Sequence, residues 1–162
     1  MKREELTQIK RMSRKIFKIS GILNGTTNYI LSKMEDDNLS FDEVLQIAKD
    51  KGFTSDYEAE LDIGGLDAAH KLTILSTLAF GSELNFSYNY VEGIGSVKIE
   101  DINFAKKLGY RIKLISESSI IDNQIYNFTS PKLVKYDNPL SNVGGALNAI
   151  NIETDHLDNL FM

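Results

Sequence analysis

Asp67, His70 and Lys71 fall within about one turn of each other in the run DIGGLDAAHK, residues 62–71. An aspartate and a lysine four residues apart on a helix lie one above the other on the same face, and His70 joins their edge. Such a pair has two uses. As an exposed ion pair it adds only ~0.3–0.5 kcal/mol to a helix. In a cleft, the lysine can hold or give up a proton at a developing alkoxide, and the aspartate can fix a substrate ammonium or polarise the lysine. The pair opens an otherwise apolar helix, directly after Gly64-Gly65 and beside an acidic segment. A helix N-terminus of that kind is a place where a small ligand meets fixed donors. Both uses stay open on these residues alone. For His70, a ring packed at the helix edge is the plainer reading.

The segment TSDYEAELDIGG supplies Asp56, Glu58, Glu60 and Asp62 and reads as an acidic loop. Its carboxylates suit a substrate amine or simple solvation. Their spacing is too irregular for an oxygen-only Mg²⁺ or Ca²⁺ site. There is no cysteine, which excludes disulfides, thiol nucleophiles and thiolate metal sites, and with two histidines a His-rich metal site is not expected either. No metal is expected. GTTNY and VEGIG could cradle phosphate only weakly, because both lack a P-loop lysine and a third glycine. No G-x-G-x-x-G occurs anywhere in the chain.

The elements that must position these residues follow from periodicity and punctuation. Leu66 to Phe80 is a helix ended by Gly81, apolar nearly all round in its middle and so expected in the domain interior. Upstream, IFKISGIL reads as a strand, Asn24-Gly25 as a turn, and Thr26 or Thr27 as the cap of a helix whose stripe is Ile30, Leu31 and Met34. The next helix has Ser40 as N-cap and Glu43 completing a capping box. It buries Phe41, Val44, Leu45 and Ala48, and Gly52 stops it.

SYNYVEGI reads as extended and SVKIEDINFAKKLGY as a helix carrying Ile102, Phe104, Ala105 and Leu108. RIKLISESS, QIYNFTSPKLV and ALNAINIET are three strands, with Asp122-Asn123 turning between the first two. Helices early and strands late predict an α+β fold, a mixed or largely antiparallel sheet with helices on one face. The other face, expected to be bare and apolar, would be covered by a second copy, giving a homodimer.

Composition sets the outer limits. At 162 residues, 42% hydrophobic and 25% charged, with mean hydropathy -0.21, the chain is one ordinary globular domain. A net charge of -5 argues against nucleic acid as the main partner, and no run is long and apolar enough to span a membrane. Seven of the 18 Lys and Arg residues fall in the first 18 positions, where Leu6, Ile9, Met12 and Ile16 form a helix stripe. Residues 1–19 read as a basic N-terminal helix or linker without the apolar core of a signal peptide, which suits the cytoplasm.

Four segments, GILNGTTNYILSKM, DIGGLDAAHKLTILSTLAFG, VEGI and EDINFAKKLGYRIKLI, resemble the catalytic region of homoserine dehydrogenase in order and spacing. The resemblance runs over residues 20–162. It implies NAD- or NADP-dependent interconversion of L-homoserine and L-aspartate 4-semialdehyde, on the route to threonine and methionine. By this resemblance Lys71 takes part in proton transfer at the substrate oxygen, Asp67 binds substrate, Asp62 lies near the substrate amine, and Gly52 approaches the cofactor. The family's amine-binding glutamate falls on Ser55 counted forward from Gly52, and on Asp56 counted back from Asp62. Asp56 is the better candidate, since a serine cannot neutralise an ammonium. The family's dinucleotide-binding domain and second catalytic lysine are expected upstream of this chain, and a glycine-rich return segment beyond its end. The expectation is a substrate and dimerisation domain, inactive by itself. The alternative is a dimerisation or regulatory module that keeps the fold without catalysis.

Overall fold

The computed structural model describes residues 16–81, 85–86, 89–155 and 160–162. The expected N-terminal helix and His156 lie outside these, except that Ile16 opens a strand and belongs to no helix stripe. In chain order the elements are β1 (Ile16–Ile22), α1 (Gly25–Asp37), α2 (Phe41–Asp50), α3 (Asp56–Ile63), α4 (Leu66–Phe80), β2 (Asn89–Val91), α5 (Ile99–Lys107), β3 (Tyr110–Ile121), β4 (Gln124–Lys135), β5 (Ala149–Thr154) and β6 (Leu160–Phe161). The strands form one sheet in the order β2-β4-β3-β1-β5-β6. Every pairing is antiparallel except β2 with β4. The α+β reading and the mixed sheet are as expected.

The β3–β4 hairpin is the longest ladder, registered from Tyr110↔Lys135 to Ile121↔Gln124. Asp122 and Asn123 both take positive φ, 50° and 64°, as a two-residue turn with a twist matched to its strands requires. Side chains alternate across β3. Ile112 and Leu114 face the helices and join Leu23, Ile30, Leu31, Met34, Val44, Leu72 and Ile102 in the main core. On the opposite face Ile22, Ile115, Val134 and Ala149 form a smaller cluster capped by Leu140 and Val143.

That opposite face is not the bare apolar surface expected from sequence. Its centre carries Lys18, which reaches Glu117 at 3.4 Å and Glu153 at 3.6 Å, while Lys132 lies 3.8 Å from Glu117 and over the ring of Phe128. These alternate strand positions form an ion-pair ladder with an aromatic margin.

Local rules account for the helix boundaries. Ser40 and Glu43 form the expected capping box, and Gly52 follows α2 with φ 74°. Asn24, and neither threonine, caps α1: its Oδ1 accepts from Thr27 N at 2.8 Å. The segment read as an acidic loop is α3. Ser55 accepts from Glu58 N, and Glu58 accepts from Ser55 N, so a second capping box outweighs the charge of the segment.

Helix α4 is only half interior. It buries Ala68, Ala69, Leu72, Thr73 and Ser76, but Ile74 and Leu78 are 53% and 76% exposed. Phe104 and Leu108, at the α5 end, are exposed as well.

Candidate active site

The site forms where the end of β1 meets the α3–α4 junction. β1 delivers Leu23 and Asn24, the last turn of α3 carries Asp62, and the first two turns of α4 carry Asp67 and Lys71. The junction is held in place by the segment that follows β2. Ile94 N donates to Ile63 O at 2.8 Å, and Gly93 comes so close that an added Cβ would lie 2.1 Å from the same oxygen. The VEGI motif is therefore a packing element: only a residue with no side chain permits this approach.

Within the junction, Asn24 Nδ2 donates to Asp62 Oδ1 at 2.6 Å and to Asp67 Oδ2 at 2.9 Å. Lys71 Nζ donates to Asp67 Oδ2 at 2.7 Å and to Leu23 O at 3.3 Å. Thr54 Oγ1 donates to the other oxygen of Asp62 at 3.3 Å. Asp67 is one-third exposed and Lys71 half exposed, so both reach solvent from a fixed base. Partial burial raises the Asp67 carboxyl. The hydrogen bonds from Lys71 and Asn24, with the charges of Lys71 and His70, more than reverse this and hold it below the usual aspartate range.

An ammonium has three donors. Two of those on Lys71 are committed, and the third is free to meet a substrate oxygen. Among the described residues no group of three or more acidic or histidine side chains is gathered as a metal site.

Other residues singled out in the sequence stand apart. The Asp56 carboxylate is almost fully exposed and pairs with Lys49 at 2.6 Å; that hydrogen bond lowers its proton affinity. It lies six residues before Asp62 on α3, about 9 Å along the axis. Ser55 is used in capping. His70 packs its ring 4.5 Å from that of Phe86, tilted by 50°, at the helix edge as expected. Gly52 meets nothing within 4 Å of a Cβ position, and the adjoining Phe53 is partly exposed and packs its ring 4.5 Å from that of Tyr29. Asn24 and Thr54 were not identified as site residues in the sequence, although an asparagine just before a helix is a recognisable cap.

Comparison with known proteins decides the lineage. The homoserine dehydrogenase family model matches residues 5–162. This chain belongs to the homoserine dehydrogenase family. It is 41% identical over 141 residues to homoserine dehydrogenase of Neisseria gonorrhoeae, covering 87% of this chain and 32% of that protein. It is 44% identical over 140 residues to that of Methanocaldococcus jannaschii, covering 86% and 40%. The solved homoserine dehydrogenase from Thiobacillus denitrificans superimposes with a TM-score of 0.88 at 40% identity, over 98% of this chain and 36% of that one. A hyperthermophilic archaeal homoserine dehydrogenase mutant, solved in complex with NADPH, matches at 27% identity and TM-score 0.73, over 93% and 41%. The chain thus spans about a third of the curated homoserine dehydrogenases it matches.

Proposed function

We propose that the chain is the substrate-handling part of a homoserine dehydrogenase, acting on L-homoserine and L-aspartate 4-semialdehyde. The observation that carries this reading is the Asn24–Asp62–Asp67–Lys71 cluster, which combines negative charge for an amino-acid ammonium with one free lysine N–H for the reacting oxygen. In the reducing direction Lys71, hydrogen-bonded to Asp67, donates to the aldehyde oxygen and passes a proton to the alkoxide as it forms. In the oxidising direction the proton returns to the Lys71 amine. Asp62 and Asp67 take the substrate ammonium.

NAD or NADP, when bound, supplies or accepts the hydride. The residues here do not fit a dinucleotide cradle, since no glycine fingerprint is present; the open surface at Gly52 is where a cofactor edge would approach. A nucleotide-binding domain must complete the cleft. The NADPH-bound archaeal relative supports NADP. A homodimer, which the family resemblance implies, and a cytoplasmic setting complete the reading.

Calorimetric titration with L-homoserine tests it, followed by an NADPH-oxidation assay with aspartate semialdehyde, with and without an added nucleotide-binding domain. The expected result is weak homoserine binding, no turnover alone, and turnover on complementation. A folded chain that neither binds homoserine nor can be complemented is instead a non-catalytic module. Sedimentation of the wild type tests the dimer; a monomer would refute it.

A further inference from the structure

The side chain of Asn24 makes two separable sets of bonds. Its Oδ1 accepts from Thr27 N at 2.8 Å and from Thr27 Oγ1 at 3.0 Å, which caps α1. Its Nδ2 donates one hydrogen to Asp62 at 2.6 Å and the other to Asp67 at 2.9 Å. A side-chain amide has two N–H groups, so both are spent on carboxylates. The cap also fixes which way the amide points. Flipped, the NH₂ would face the Thr27 N–H, and the oxygen would face two carboxylates. With 4% exposure, Asn24 has no room to exchange these partners for water.

We propose that Asn24 is the positioning residue of this site, a neutral bridge that lets carboxylates from two different helices stand side by side to receive one ammonium group. The inference rests on the functional reading above and adds to it the residue that assembles the ammonium pocket.

Asp62 sits at the C-terminal end of α3, where the helix dipole disfavours negative charge, and Asp67 sits at the N-terminal end of α4, where it is favoured. Donation from Asn24 offsets the first and ties it to the second. The charged groups acting on Asp67 from α4 are Lys71 and His70, and Asp62 faces it from α3. From β1 and α1 it meets only neutral Asn24. Lys71 is tied to the same backbone step, because Leu23, whose carbonyl it reaches, directly precedes Asn24.

The test uses the full chain with Asn24→Ser and Asn24→Asp. Both replacements keep an oxygen that can cap α1, and both remove the paired donors; Asp also adds a third negative charge. Carboxyl ¹³C resonances of aspartate-labelled protein report the site, and thermal unfolding reports the fold. The expected outcome is cooperative unfolding in both variants, at a lower temperature for Asn24→Asp than for Asn24→Ser because of its buried like charge, an Asp67 titration midpoint moved upward in both, and homoserine affinity lower by on the order of tenfold or more.

Folded variants whose Asp67 titration matches wild type would overturn the proposal. A shifted titration in a chain whose wild type never binds homoserine would leave Asn24 as the bridge and remove the dehydrogenase reading instead. If neither variant folds, the wild-type Asn24 side-chain amide decides: its two protons should respond together as Asp67 titrates. Indifference of either proton would overturn the bridge.

Discussion

Lys113 Nζ donates to Asn28 Oδ1 across 2.9 Å, linking β3 to α1 inside the protein. The same ammonium reaches Ser32 Oγ at 3.1 Å and Val143 O at 2.8 Å, so its donors all end on neutral oxygens. Neighbouring Arg111 takes the carboxylate, bonding Glu35 at 3.1 Å. Burial pushes the Lys113 ammonium down to about 8, and the charge of Arg111 acts in the same direction against the weaker pull of Glu35 and Asp36.

The sign of the resulting pH effect follows from proton counting. Between about 8 and 10.5 the unfolded chain holds a proton on Lys113 that the folded chain has released. Stability therefore rises with pH across that window as far as this residue is concerned. The gain is on the order of 2 kcal/mol between pH 7 and pH 9.5. Urea unfolding of wild type and Lys113→Met at both pH values isolates it: the difference between the two proteins should shift toward wild type at the higher pH. A constant difference would show that Lys113 keeps its ordinary proton affinity.

Lys71→Ala separates chemistry from folding. The Lys71–Asp67 pair is half solvated, and pairs of this kind contribute ~0.3–0.5 kcal/mol to a helix, so unfolding should move by less than about 0.5 kcal/mol. In protein complemented with a nucleotide-binding domain, turnover should fall by about 10²–10⁴-fold, the usual range for a lost general acid. A steady-state assay beside a denaturation curve checks both halves. Retained turnover would remove the lysine from the reaction.

Gly93→Ala tests the strap that fixes the α3–α4 junction. The new methyl would press on backbone at Ile63 and Gly64, at 2.1 Å and 2.7 Å, and backbone cannot rotate away as a side chain does. A loss of ~1–3 kcal/mol is expected, or roughly 2–4 °C in Tm for each kcal/mol. Homoserine binding should weaken with it, because Asp62 and Asp67 flank the displaced turn. Differential scanning calorimetry with and without homoserine measures both effects.

What could be read from sequence was what local chemistry decides. Ser40 with Glu43, Gly81, and Asp122-Asn123 each impose a backbone solution that little else can override, and all three stand as expected. Asp67 and Lys71 were visible because helical spacing alone brings them together. Asn24 was not, since its partners lie 38 and 43 residues away and no periodicity joins them. Helix α3 was missed because acidic composition hid the Ser55–Glu58 box. The helix α4 reading failed for a different reason. Hydrophobic content shows that a surface can be buried, and the identity of its cover is a tertiary fact. The sheet face reversed that error, because polar residues at alternate strand positions pair only once neighbouring strands are in register.

The exposed side of α4 has an electrostatic consequence. Lys71, Ile74 and Leu78 follow Asp67 at steps of four, three and four residues, so ion pair and apolar ridge share one stripe about 16 Å long. Any surface seated on Ile74 and Leu78 displaces water from the same stripe and lowers the local dielectric constant around the pair. Attraction between unit charges 4 Å apart grows from about 1 kcal/mol in water to about 4 kcal/mol at an effective dielectric constant of 20. Covering the ridge would therefore turn a weak surface pair into a strong, oriented one.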